Sequence, residues 1–332
     1  MRVNLISMSG GKDSTAMALL ALERKTENLR FVFADTGHEH QQTYDYIDYL
    51  ESALNITIER VKRDFTREIS VRRANLCKQA ATKAHYVRKK NKATGKYKKV
   101  RVRGWNNRAR VRALNVLHPT GIPFLDLCLL KGRFPSTKAR FCSSELKHNP
   151  IGDLIVNELE SNEVYIWQGV RAEESKDRAK LPELENVGGG LWNYRPILKW
   201  TWQEVFAMHH KHGIKPNPLY TQGMGRVGCM PCIHCKKSEL KQIANRFPDE
   251  IDRVSHMETL VRLASKRGES SFFAADKTPE GKDRLKNDIV SSMPLIHQVA
   301  EWSKTTRGGK MFDLFAAEEA EISCSSEYGL CE

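Results

Sequence analysis

Residues 3–22 read VNLISMSGGKDSTAMALLAL. An apolar run from Val3 to Met8 has the composition of a buried strand. From Ser14 to Leu22 the pattern becomes that of a helix, and the turn between them is Ser9-Gly10-Gly11-Lys12-Asp13. Glycines at a strand–helix junction let the backbone turn tightly and bring N–H groups close to an anion. The following helix adds its N-terminal dipole and unpaired first-turn N–H groups. Ser9, Ser14 and Thr15 supply hydroxyl donors and Lys12 supplies charge. The stretch therefore predicts a phosphate cradle. It is not the Gly-x4-Gly-Lys-[Ser/Thr] loop, because the glycine spacing differs.

The neighbouring sequence extends the same pattern. RFVFADTG (30–37) reads as a second strand, HQQTYDYIDYLESAL (40–54) as a helix and NITIERVKR (55–63) as a third strand. Strand–helix–strand–helix–strand at this spacing predicts an α/β fold with a Rossmann-like parallel sheet and helices on both faces. VYIWQGV (164–170) is expected as a further buried strand and TWQEVFAMHHKHG (201–213) as a helix. The segment KATGKYKKVRVRGWNN (92–107) is expected to be a mobile interruption. The predicted organisation is an α/β domain over 1–237, interrupted by a basic insertion at about 69–125, then a mainly helical region over 238–332 with a flexible tail.

The 332 residues carry a net charge of +14, distributed unevenly. Between Ile69 and Leu125 there are sixteen Lys and Arg and no Asp or Glu, so the rest of the chain is close to neutral. Clustered cations gain affinity by displacing counterions from a polyanion. Arg88, Lys89, Lys90, Lys98, Lys99, Arg101, Arg103 and Arg108 are the expected contacts to DNA or RNA, with Tyr86, Tyr97 and Trp105 interleaved for stacking; a solvated basic loop is the alternative. No run is long enough for a membrane span, and no signal peptide is expected. The chain is thus expected to be cytoplasmic, its eight cysteines reduced.

Cys229, Cys232 and Cys235 are spaced Cys-x2-Cys-x2-Cys, with Cys142 upstream. Close-spaced thiolates present sulfur to one centre. Four of them suit zinc or a [4Fe–4S] cluster, and spacing alone does not choose. The loop after 164–170 contributes Gly169, Arg171, Glu174, Ser175 and Arg178, of which the two arginines are candidate clamps for phosphate or sulfate oxygens. Asp35, Thr36 and Gly37 end the second strand, where Asp35 is placed for ribose, adenine or a magnesium ion. His38, His40, His209 and His210 are expected as surface or helix residues.

Ser9-Gly10-Gly11-Lys12-Asp13-Ser14 resembles the PP-loop of the adenine-nucleotide α-hydrolases, which cleave ATP between the α and β phosphates. FADTGHEHQQTYDYI (33–47), RFCSSELKHNP (140–150), GVRAEESKDRA (169–179) and the Arg-Pro-Ile, Asn-Pro-Leu-Tyr and Arg-x-Gly-Cys elements within 194–232 resemble the phosphoadenylyl-sulfate (PAPS) reductase-like branch, including phage-encoded members and DNA-phosphorothioation pyrophosphatases. The resemblance implies an adenine nucleotide, ATP or PAPS-like, held by Ser9 to Thr15, Asp35 to Gly37, Gly169 and Arg171. It implies Lys12, Asp13, Arg171, Glu174, Ser175 and Arg178 in catalysis, and magnesium with ATP. It also favours [4Fe–4S] over zinc at Cys142, Cys229, Cys232 and Cys235, and assigns Arg195 and Arg226 to the neighbourhood of nucleotide and cluster. There are two departures. A Cys pair of the adenylyl-sulfate reductases is Cys142-Ser143 here. Their terminal Glu-Cys-Gly-Leu-His reads Glu327-Tyr328-Gly329-Leu330-Cys331, leaving Cys331, with Cys324, as the tail thiols available for nucleophilic or resolving chemistry.

Three functions follow as expectations. One is an ATP pyrophosphatase that activates an acceptor, expected to be nucleic acid, for iron–sulfur-dependent sulfur transfer from a sulfur donor. A second is a sulfonucleotide reductase served by a thioredoxin-like reductant. A third is a nucleotide- or nucleic-acid-binding protein without turnover. The intact loop favours the first.

Overall fold

The computed structural model describes residues 1–78, 85–90, 95–102, 104–273, 293–305, 326–328 and 330. In chain order its elements are β1 (Arg2–Met8), α1 (Lys12–Glu23), β2 (Leu29–Asp35), α2 (Gln41–Leu54), β3 (Ile58–Lys62), α3 (Thr66–Lys78), β4 (His85–Lys90), β5 (Tyr97–Val102), α4 (Asn107–Val116) and α5 (Pro123–Lys131). These are followed by α6 (Phe141–Ser143), α7 (Asn149–Leu159), β6 (Glu163–Trp167), β7 (Leu184–Gly188), β8 (Leu191–Tyr194), α8 (Trp202–Lys211), α9 (Lys237–Arg246), α10 (Pro248–Ala264) and α11 (Ile296–Lys304). A π-helical turn, Ser144–His148, joins α6 to α7.

The chain folds into two compact units, one of residues 1–63, 141–232 and 317–332, the other of 64–140 and 233–316. In the first, six strands take the order β3-β2-β1-β6-β8-β7. All neighbours are parallel except β7 against β8. Both faces of the sheet are covered, which is why its strands read as continuous apolar runs. Ile6, Met8, Phe31, Phe33 and Trp167 pack on one face with α1, α2 and α8. Leu5, Val32 and Val164 pack on the other with Ile155 of α7. The predicted α/β class and the helical character of the C-terminal region are as observed. Strand order reverses at β1, which is flanked by β2 and β6. Such a switch point leaves a crevice at the carboxyl ends of the strands, where open α/β sheets take their ligands.

The second unit is built from the basic insertion and the helices after 233 together, rather than as an insertion within one domain and a separate helical region. Arg112 of α4 donates to Leu263 O (3.1 Å) and Ser265 O (2.6 Å) at the end of α10. Phe272 packs against Phe124 and Phe134, with ring centroids 6.2 and 5.3 Å away. The short apolar faces of α4 and α5 find their partner in α10. The stretch expected to be mobile instead contributes β5, paired antiparallel with β4. Val100 and Val102, spaced by two, carry the strand signal that Lys and Arg obscure.

Candidate active site

The turn after β1 is held from inside and outside. Gly10 has φ +70°, and a Cβ there would lie 2.9 Å from Thr43 Cγ2 on α2, so both conformation and space call for glycine. Ser14 Oγ donates to Gly11 O (2.9 Å) and accepts from Ser9 N (3.2 Å). Asn217 Nδ2 donates to Gly10 O (3.1 Å), Tyr220 OH accepts from Lys12 N (2.9 Å), and His209 Nε2 donates to Lys12 O (3.0 Å). His209 is fully buried, and that burial pushes its pKa down, keeping the ring neutral. Gly11 is the N-cap of α1 in extended conformation and offers no side-chain cap. Of the first-turn N–H groups of α1, that of Lys12 is taken by Tyr220, which leaves those of Asp13 and Ser14 for an anion.

Two buried cations converge beside this turn. Lys12 and Arg171 are 5% and 3% exposed. Lys12 Nζ lies 3.1 Å from Asp13 Oδ2, and Arg171 Nε donates to Asp13 Oδ1 at 2.5 Å. Arg171 also pairs with Glu173. Its backbone is brought in by Gly169, where a Cβ would stand 3.4 Å from the Asp13 carbonyl carbon. Glu174 accepts from Arg171 N (3.3 Å) and pairs with Arg178. Glu174, Ser175 and Arg178 are exposed, so the structure brings only Arg171 of that loop into the buried cluster. Arg195 is committed to Gln168, Pro182 O and Glu185.

The end of β2 forms a second polar cluster. Asp35 Oδ1 accepts from Gly37 N and Tyr44 OH, both at 2.8 Å. Thr36 Oγ1 donates to buried Glu39 (2.7 Å). Glu39 pairs across a β-bridge with Cys229, whose Sγ lies 3.7 Å from Glu39 Oε1 and 3.6 Å from Thr36 Oγ1. Burial pushes the Cys229 thiol up to about 12, with the Glu39 charge adding to it. Burial first and Cys232 second push up the Cys142 thiol. Lys147, on the π-helical turn, is pushed upward chiefly by Cys229 and further by Glu39 and Cys232. A π turn re-aims side chains within a helix and recurs at functional sites. Here it accompanies three thiols and an ammonium.

The donor chemistry of Cys142, Cys229 and Cys232 is that of a thiophilic centre. Among the described residues, however, no three His, Cys, Asp or Glu side chains are arranged as metal ligands. Cys229 faces Glu39 and Thr36 instead. Cys235 belongs to the other unit, where its Sγ donates to Lys236 O (3.4 Å).

In the second unit the β4–β5 register sets Arg88 opposite Lys99 and Lys89 opposite Lys98. Like charges facing across a ladder oppose pairing unless an anion intervenes. Arg88, Lys90, Lys99 and Arg108 are exposed, as are Tyr86 and Tyr97. Lys89, Lys98 and Arg101 are placed by backbone register alone. Arg103, Cys324 and Cys331 lie outside the described residues. Among the described residues no helix is long and apolar enough to cross a membrane.

Residues 4–235 match the phosphoadenosine phosphosulfate reductase domain. This chain belongs to the PAPS reductase family. An uncharacterised 37.8 kDa protein of Escherichia phage 186 is 48% identical over 99% of this chain and 97% of its own length. Adenosine 5'-phosphosulfate reductase of Allochromatium vinosum is 42% identical over 65 residues, 19% of this chain and 25% of the reductase. Among solved structures, a phosphate complex of PAPS reductase from Candida auris aligns over 68% of this chain and 80% of its own, with TM-score 0.39 and 16% identity.

Of the C-terminal tail, residues 326–328 and 330 are described. Tyr328 OH donates to Gly225 O (2.7 Å), and its ring packs on Phe206, Trp202 and Tyr220 at 5.3, 5.5 and 5.7 Å. Lys12 Nζ lies 4.9 Å from the Tyr328 ring centroid and 5.6 Å from that of Tyr220. Sequence reasoning missed Glu39, Lys147 and the partners of the loop. Tyr220 and Asn217 lay in the quoted Asn-Pro-Leu-Tyr element, which was the available signal. His209 lies on α8, one of the two placements expected for it, and is 0% exposed; His38 is 1% exposed. His38 bonds Pro231 O (3.1 Å).

Proposed function

We propose that this chain is a PP-loop ATP pyrophosphatase that cleaves ATP between the α and β phosphates and adenylates an oxygen of a nucleic acid, so that sulfur can replace it. The observation that carries the reading is the partner of Lys12. In an intact Ser-Gly-Gly-Lys-Asp-Ser loop, the tail brings a phenol, Tyr328, to the lysine at the place where the resembling reductases carry a cysteine. A phenol does not take sulfur from a sulfonyl group, whereas the loop keeps the groups that pyrophosphate needs.

In this reading the acceptor oxygen attacks the α phosphorus and the α–β bridging oxygen leaves with pyrophosphate. Lys12 Nζ and the Arg171 guanidinium meet the charge that develops on it, and the N–H groups of Asp13 and Ser14 at the start of α1 add fixed donors. Asp13, between the two cations, holds both in place before the nucleotide arrives. Asp13 and Asp35 are the carboxylates that would hold a magnesium ion, which neutralises charge across the phosphates. Cys142, Cys229 and Cys232 are the thiols that would hold a [4Fe–4S] centre. Such a group would supply sulfur or electrons to the activated acceptor.

The test is anaerobic purification, assay of iron, zinc and sulfide, and separate incubation with ATP plus a single-stranded nucleic acid as acceptor, with PAPS and with adenylyl sulfate. Pyrophosphate from ATP is expected. A second reading, sulfonucleotide reduction, is favoured by the reductase names of several relatives, including a Vibrio campbellii protein 23% identical over 67% of this chain. Thiol-dependent sulfite from PAPS or adenylyl sulfate would establish it. Nucleotide binding without turnover would leave a binding protein.

A further inference from the structure

The second unit contains a cavity of about 710 Å³ that the loop chemistry does not use. Its size is that of a site for a nucleotide-sized ligand. Phe134 and Phe272, both buried and 5.3 Å apart, form an aromatic floor. Trp105, 6% exposed, stands in the wall with two cations on its ring: the Arg72 guanidinium carbon at 5.3 Å and Lys266 Nζ at 5.5 Å from the centroid.

The charge balance of this wall is lopsided. Its described residues include Arg72, Lys266 and Arg267, alongside Lys131 and Arg133, which have partners of their own, against the single acid Glu269. Glu269 is taken by Arg262, 3.3 Å away. Arg72, Lys266 and Arg267 form no ion pair among the described residues. The nearby serines are occupied, Ser265 Oγ donating to Glu269 O (3.3 Å) and Ser271 Oγ to Phe273 O (2.6 Å). Cations gathered around one indole repel one another, and an anion entering the cavity relieves that repulsion. An aromatic floor beneath a cationic rim matches a base or sugar below and a phosphate above.

We propose that this cavity binds one nucleotide of a single-stranded nucleic acid, its phosphate against Arg72 and Lys266 and its base over the Phe134–Phe272 floor. The assignment of a strand rather than a free nucleotide rests on the reading that the acceptor is nucleic acid, and the β4–β5 hairpin of the same unit supplies further cations for the backbone.

The test is equilibrium binding of the full chain to labelled single-stranded DNA and RNA oligonucleotides over a salt series, with adenosine monophosphate as competitor. Arg72→Gln/Lys266→Gln is expected to weaken strand binding about tenfold or more and to flatten the dependence of log K on log salt by about one unit. Lys266 is exposed, so Lys266→Gln alone keeps the question answerable if the double variant does not fold; it is expected to lose part of the same affinity. Unchanged strand binding in folded variants overturns the proposal. So does monophosphate binding as tight as the strand, which would make this a free-nucleotide site. Pyrophosphate release from ATP is measured on the same samples. If it persists and strand binding is unchanged in the folded variants, this inference fails alone. If strands bind through Arg72 and Lys266 while ATP is not cleaved, the pyrophosphatase reading fails alone.

Discussion

Lys12 is the residue on which the chemistry turns, because its ammonium is buried beside Asp13 and two tyrosine rings with no solvent to replace it. Lys12→Gln is expected to lower pyrophosphate release from ATP by about 10²-fold or more while leaving thermal unfolding near that of the parent, as for removal of one preorganised donor. Tyr220→Phe acts differently. It strips the acceptor from the buried Lys12 N–H, at a cost of about 1–3 kcal/mol in denaturant unfolding. Ser9 to Thr15 was legible as a phosphate cradle because its residue types are local. Tyr220 was not, since its role arises from a contact 208 residues away in the chain. Glu39 was illegible for the same reason, because only the pairing of its loop with Cys229 brings it to the thiols.

At the scale of elements, the strands were readable where both faces are buried, as in β1 and β2, and unreadable where charge hides the alternation, as in β4 and β5. That hairpin is a measurable source of salt dependence. Replacing Arg88, Lys90 and Lys99 together by glutamine is expected to reduce the salt slope of single-strand binding by about 2, since each neutralised phosphate contributes about 0.7. Helix α10 carries a different signal. Glu258 is 1% exposed, and its carboxylate accepts from Phe272 N (2.7 Å) and Ile296 N (2.9 Å), tying the loop after α10 to the start of α11. Burial raises its pKa from the ordinary 4.5 to about 7. A carboxyl whose pKa is raised on folding contributes stability that is complete below pH 4.5 and is lost as pH rises through 7. Unfolding free energy is therefore expected to fall by about 3 kcal/mol from this group over that window. Glu258→Gln should flatten that component in urea titrations at a series of pH values, and an unaltered slope would remove Glu258 as its source.

For the whole molecule, the sequence made the parallel sheet and its glycine loop predictable, but it did not show that the basic insertion and the C-terminal helices build one unit. Arg112 reaching Leu263 and Ser265, and Phe124 meeting Phe272, are contacts between segments about 150 residues apart that no local pattern announces. The two units also divide the chemistry. One holds the loop, Arg171 and three thiols, and the other carries most of the excess charge. Lys12→Gln is expected to lower phosphate cleavage while leaving strand binding intact. Which bond is broken is read directly by product analysis of ATP labelled at the α phosphate, incubated with magnesium and single-stranded nucleic acid. Pyrophosphate is expected, with the label on AMP or on the adenylated acceptor, and its loss in Lys12→Gln. Label recovered in ADP, or uncleaved ATP alongside thiol-dependent sulfite from a sulfonucleotide, would contradict that expectation.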